Sequence, residues 1–150
     1  MRFWDSSAVI PLLVEQQGSS LTDRWLQEDS RLVVWTLTET ELASALRRLV
    51  REGGLAEQLA ADAEQLAVEL LRRVDQVTDI EQVKAQARRV LRLHALRAAE
   101  ALQLGAALAW ADGRPESLVM HTFDQRLALA AQREGFTVIP GPPRDQSTQP

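Results

Sequence analysis

Short apolar runs alternate with longer helical patterns along the whole chain, and this alternation constrains the fold more than any other feature. Met1–Trp4, Leu32–Trp35, Gln76–Thr78, Ser117–His121 and Phe136–Ile139 read as strands. Between them, helical periodicity runs from Ser6 to about Glu15, Leu21 to Glu28, Thr38 to about Arg51, Leu55 to about Val74, Ile80 to Leu93, Leu96 to Ala111 and Gln125 to Glu134. Gly18-Ser19-Ser20 and Gly53-Gly54 break the pattern where helices should end. Strands joined through helices must run parallel, because a parallel pair needs a long crossover, and those crossovers cover both faces of the sheet. The expected class is therefore α/β, with three layers around a short, mostly parallel central sheet.

The chain has 150 residues, which makes one domain and allows a sizeable core. Residues 1–140 are expected to form it. Gly141 onward is polar and broken by proline, and reads as a tail without order. There is no cysteine, so neither a disulfide framework nor a thiolate metal site is open to this chain. The run from Ala98 to Ala111 is interrupted by Glu100 and Gln103 and is too short to span a bilayer. No signal-peptide core follows Met1, and the cytoplasm is the expected location. A net charge of −4 argues against a generic nucleic-acid coat protein, but not against an enzyme that acts on nucleic acid through a local patch.

In parallel sheets, ligands bind beyond the carboxyl ends of the strands. Asp5 follows the first strand and Asp124 the fourth, while Glu41 and Glu100 open strongly apolar helices. Gathered together, four carboxylates would repel one another and resist ionisation unless positive charge arrived, which is the chemistry of a hard divalent cation. The chain's single lysine, Lys84, lies in a mid-chain helix and cannot be read as their counter-ion.

Each acid also has a structural reading. Asp5 and Asp124 stand where helix N-caps stand. Glu41 fits a capping box led by Thr38, and periodicity does not choose between Glu39 and Glu41, which flank the same apolar stripe. Glu100 lies in a helix apolar on nearly every side, so burial is expected, with Arg97 or Gln103 as structural partners.

The residues around the four acids carry a resemblance. Phe3-Trp4-Asp5-Ser6-Ser7-Ala8-Val9-Ile10, Thr38-Glu39-Thr40-Glu41-Leu42-Ala43, Leu96-Arg97-Ala98-Ala99-Glu100-Ala101-Leu102-Gln103 and Thr122-Phe123-Asp124-Gln125-Arg126-Leu127 occur in this order across residues 1 to about 140. In them the chain resembles the PIN-domain ribonucleases, most closely the VapC-type toxins of bacterial toxin–antitoxin pairs. The resemblance implies a three-layer PIN-like fold and metal-dependent hydrolysis of RNA. It selects Glu41 over Glu39 and makes Asp5, Glu41, Glu100 and Asp124 the catalytic, metal-holding set for one or two Mg²⁺ or Mn²⁺ ions. Ser6 and Thr122 are candidates for hydrogen bonds to that set or for phosphate contacts. A cognate antitoxin that blocks the acidic pocket is implied, and homodimers are common in the family. The family usually has aspartate where Glu100 stands, so the extra methylene is expected to disturb a magnesium site more than a manganese site.

The stretch from Gln82 to Ala99 carries Lys84, Arg88, Arg89, Arg92, His94 and Arg97 without an acid. Arg88, Arg92 and Arg97 are therefore candidate RNA contacts. His94 and His121 read as packed residues, and the tryptophans as core. A receiver domain or a haloacid-dehalogenase-type phosphatase would need a second acid beside Asp5 and a late lysine, and the chain has neither. The competing reading from another class is a weak or inactive PIN-like module that binds RNA or a protein partner.

Overall fold

A computed structural model describes residues 1–141. The tail expected from Gly141 lies, beyond that glycine, outside the described residues. The elements in order are β1 (Arg2–Trp4), α1 (Ser6–Leu13), α2 (Ser19–Glu28), β2 (Leu32–Trp35), α3 (Thr38–Arg51), α4 (Glu57–Leu71), β3 (Asp75–Val77), α5 (Ile80–Leu93), α6 (Ala98–Trp110), β4 (Val119–His121), α7 (Gln125–Glu134) and β5 (Thr137–Ile139). The class is the expected α/β, and the sheet, anticipated as mostly parallel, is parallel at every pairing.

Strand order is β3-β2-β1-β4-β5. The chain lays β1 down first, builds outward through β2 and β3, then returns to the other side of β1 for β4 and β5. The order reverses between β1 and β4, which is the switch point where open α/β sheets form a crevice. Phe3 pairs with Met120 and Trp4 with His121. The Asp5 amide then donates to the His121 carbonyl at 3.0 Å, carrying the pairing one residue beyond β1.

Strand side chains alternate between two cores, as period-two geometry requires. Phe3, Val33, Trp35, Met120 and Val138 pack with Val83, Ala87 and Val90 of α5, Leu104 and Ala107 of α6 and Leu127 of α7. Trp4, Leu32 and Val34 point the other way, against Ala8 and Val9 of α1, Trp25 of α2, Leu42 and Leu46 of α3 and Ala63, Ala67 and Leu71 of α4. Three layers result. Among the described residues no helix is long and apolar enough to cross a membrane.

His121 is fully buried and stacks on Trp25, with ring centroids 4.3 Å apart and planes within 14°. Its Nδ1 bonds the Ile139 carbonyl at 3.0 Å, while Arg2 approaches Nε2 at 3.3 Å. An arginine donates and never accepts, so the ring is neutral with its proton on Nδ1. Burial, aided by the Arg2 charge, lowers its pKa to about 4 against the pull of the carbonyl. It is the packed histidine that the sequence suggested.

Element ends differ from expectation for local reasons. β4 starts at Val119 rather than Ser117 because Ser117 adopts a left-handed φ of 72°. α6 starts at Ala98 rather than Leu96 because Arg97 is extended. Along α4, Ala60, Ala63, Ala67 and Leu71 are buried, whereas Leu59 and Leu66 are exposed.

α6 reaches the site region because Gly105 lets it lie directly on α5. A Cβ at position 105 would stand 2.7 Å from the Val83 carbonyl oxygen and 2.9 Å from the Ala87 amide nitrogen, and neither main-chain atom can turn aside. Gly105→Ala should therefore destabilise the protein by about 1–3 kcal/mol despite alanine's better helix propensity. Thermal unfolding checks this; an unchanged or higher Tm would show that the two helices are not in close contact.

Candidate active site

Asp5 sits at the carboxyl end of β1 and is 4% exposed. Three hydroxyls converge on it: Thr122 donates to Oδ2 at 2.7 Å, Ser7 donates to the same oxygen, and Ser6 lies 3.2 Å from Oδ1. The Ser7 amide completes an N-cap at 3.3 Å. The capping reading of Asp5 is thus observed, and the cap does not exclude a role in a site. Burial raises its pKa above the usual carboxylate range, and the hydrogen bonds from Ser7, Thr122 and Ser6 offset this only in part.

Glu41 does not close a capping box. Leu37, not Thr38, is the N-cap of α3, without a side-chain cap bond. The carboxylate turns toward β1 instead, where Oε2 accepts from the Ser6 hydroxyl at 2.6 Å and from the Gln103 amide at 3.0 Å. Ser6 thus stands between Asp5 and Glu41. Burial again raises the Glu41 pKa, and the neighbouring charge of Asp5 adds to the effect against the Ser6 and Gln103 bonds. Gln103 is 1% exposed, and its carboxamide oxygen is buried with no hydrogen-bond partner. Such an orphaned acceptor costs about 1–3 kcal/mol unless something donates to it.

Asp124 caps α7, its Oδ1 accepting from the Leu127 amide at 2.9 Å. Its own amide donates to the Thr122 hydroxyl at 3.0 Å. Thr122 therefore ties Asp5 to Asp124 across the switch point. Ser7 adds a second tie by accepting from the Phe123 amide at 2.9 Å.

Glu100 lies in the first turn of α6, its side chain 11% exposed. Neither expected side-chain partner holds it: Gln103 serves Glu41, and Arg97 contributes only its backbone amide, 2.8 Å from Oε2. The counter-ion is Arg126 of α7, whose Nη2 is 2.6 Å from Oε1. The sequence offered no lysine as counter-ion to the acidic set; an arginine takes that place at Glu100.

Asp5, Glu41, Glu100 and Asp124 line one open cleft of about 550 Å³, together with Ser6, Ser7 and Gln103. Four segments far apart in sequence thus meet at the sheet's switch point. They are not drawn tight. Among the described residues no group of three or more histidine, cysteine, aspartate or glutamate side chains stands close enough to hold a metal ion.

Of the basic stretch, Arg97 lines the cleft, whereas Arg88 and Arg92 lie exposed on α5 away from it. Lys84 is bound to Glu81, and Arg89 and His94 to Glu134. A second cleft arginine, Arg48 of α3, makes no ion pair among the described residues. Sequence reasoning missed Arg48, Arg126, Ser7 and the role of Gln103. For Gln103 a signal existed, since it lies three residues after Glu100 and so on the same face of α6.

No family model matches the chain. Two curated proteins do: Ribonuclease VapC45 of Mycobacterium tuberculosis (strain CDC 1551 / Oshkosh) and Ribonuclease VapC49 of M. tuberculosis (strain ATCC 25618 / H37Rv). Each is 32% identical over 138 residues, which is 92% of this chain and 94% of the relative. Similar solved structures include FitAcB from Neisseria gonorrhoeae, with a TM-score of 0.62, 18% identity and coverage of 92% of this chain and 96% of the other. PAE2754 from Pyrobaculum aerophilum gives 0.64, 19%, 93% and 89%. FitAB bound to an IR36 DNA fragment gives 0.61, 17%, 92% and 93%. These structures bear out the three-layer fold, and the near full-length relatives bear out the family: the chain belongs to the VapC ribonucleases of the PIN-domain family.

Proposed function

We propose that the protein is a metal-dependent endoribonuclease, the toxin of a toxin–antitoxin pair, hydrolysing RNA phosphodiester bonds in the cytoplasm. The observation that carries this reading is the meeting of Asp5, Glu41, Glu100 and Asp124 in one cleft, in a chain whose relatives are ribonucleases. The donor set suits Mg²⁺ or Mn²⁺. It is made of oxygen alone, two of its carboxylates are pushed up by burial, and beside them lies a carboxamide oxygen that lacks a donor. Asp5, Glu41 and Asp124 would hold the ion, with Glu100 joining once released from Arg126.

Such a cation supplies Lewis acidity toward the phosphodiester and a source of nucleophile near neutral pH. The remaining work falls to the chain. Thr122 and Ser7 fix the orientation of Asp5, and Ser6 and Gln103 hold Glu41 beside it. Arg97 and Arg48 offer guanidinium groups to backbone phosphates from the cleft walls. A cognate antitoxin would engage the same cleft. A homodimer would use Leu59 and Leu66, two exposed residues on one stripe of α4.

One observation favours the second reading, a weak or inactive module that binds RNA or a protein: the four acids are not drawn into a cation-sized cluster. Cleavage assays separate the two. RNA hydrolysis is expected with Mn²⁺, should stop with EDTA, and should fall by at least about a hundredfold in Asp5→Asn. Hydrolysis that survives both changes contradicts the metal mechanism.

Burial of the Glu41 carboxylate, with the Asp5 charge beside it, gives a second test. The folded pKa of Glu41 lies above its ordinary 4.5, so ionising it costs stability as pH rises through the folded value, and costs nothing below 4.5. Glu41→Gln keeps an oxygen for Ser6 and Gln103 and removes the charge. In EDTA at pH 7.5 its Tm should exceed wild type by about 3 °C, corresponding to about 1 kcal/mol. The gain should vanish near pH 4. A gain equal at both pH values would mean that charge is not its cause.

A further inference from the structure

We infer that Arg126 is a resident counter-ion for Glu100, and that a divalent cation entering the cleft must compete with it for that carboxylate. This rests on the metal-site reading above.

The four acids differ in what their oxygens are doing. Glu41 and Asp124 each engage one oxygen within the protein, Oε2 and Oδ1 respectively, and keep the other for the cleft. Asp5 meets only neutral donors, Thr122 and Ser7 at Oδ2 and Ser6 at Oδ1. Glu100 has both oxygens engaged and one of them by a cation, since Oε2 takes the Arg97 amide at 2.8 Å and Oε1 takes Arg126 at 2.6 Å. The side chain is long enough to span both partners. It is also well placed to stay, because a carboxylate in the first turn of α6 faces the positive end of that helix.

Arg126 is the looser half of the pair. Its side chain is 47% exposed, against 11% for Glu100. It also sits in the first turn of α7, just past the Asp124 cap, where the helix dipole disfavours a cation. What holds it there is Glu100. Exposed ion pairs of this kind are weak and screened by salt, so the contact can be displaced by a better cation. Arg126 therefore does not destroy the site. It occupies Glu100 until a divalent ion arrives, and it sets how much of that ion's binding energy is spent on the exchange.

The test is calorimetric titration of Mn²⁺ into the full chain, for wild type, Arg126→Gln, Arg126→Lys, Glu100→Gln and the double variant Glu100→Gln/Arg126→Gln. Competition predicts that Arg126→Gln tightens the Mn²⁺ Kd by about five- to tenfold, within the usual range of coupling between two binding events. Arg126→Lys, which keeps the charge, should stay near wild type. Damage to the fold would instead weaken binding, so a tighter Kd cannot come from a merely structural role. The double variant isolates the pair: with Glu100 already neutral, removing Arg126 should change nothing. If Arg126→Gln leaves Kd unchanged or weaker while wild type binds Mn²⁺, or tightens it equally in the Glu100→Gln background, Arg126 is not competing for Glu100 and the inference fails alone. If neither wild type nor Arg126→Gln binds Mn²⁺, the metal-site reading fails and the inference falls with it.

Discussion

The buried carboxylate of Asp5 is the interaction on which the rest of the structure depends. It sits where strand order reverses, next to the backbone bond that extends the β1–β4 pairing. A carboxylate in such a place is costly unless its oxygens are satisfied. Here Thr122 and Ser7 satisfy it, and both reach onward, Thr122 to the Asp124 amide and Ser7 to the Phe123 amide. One charged group thus fixes the start of α1, the path of the chain leaving β4 and the placement of Asp124. Ser6 extends the same network to Glu41, and Gln103 joins α6 to it.

That network keeps acids together at the expense of stability. Burial opposes ionisation of Asp5 and of Glu41, and the Asp5 charge adds to the effect on Glu41. Gln103 is left with an unpaired buried oxygen. Costs of this sort concentrated in one cleft are what a functional site looks like, because a core selected only for stability would not keep them. Glu100 is the exception. Its cost is already met by Arg126 and the Arg97 amide, and the four acids share a cleft without forming a tight cluster.

Much of this was legible in the sequence. Unbroken apolar runs such as Leu32–Trp35, buried at every position, and helical runs such as Ile80–Leu93 reflect local burial, and the elements fall within a few residues of expectation. Asp5 and Asp124 could be read as strand-end acids because α/β topology dictates where strands lead. What was not legible depends on pairings between distant segments. Thr38 and Glu41 look like a capping box until Gln103, 62 residues away, draws the carboxylate inward. Arg126 looks like an ordinary surface residue until α6 brings Glu100 beside it. The basic run before Glu100 suggested a phosphate path, yet Glu134, 45 residues beyond Arg89, takes Arg89 and His94 out of play. Sequence spacing reports the face a residue occupies, not which distant partner will claim it.

The central claim is that oxygens from separate segments meet at the switch point to hold one cation or a close pair. The most direct measurement is anomalous scattering at the manganese edge from crystals grown with MnCl₂. The account predicts a strong peak inside the cleft, bounded by the carboxylates of Asp5, Glu41 and Asp124. Peaks confined to the outer surface, with the cleft empty at saturating manganese, would contradict it.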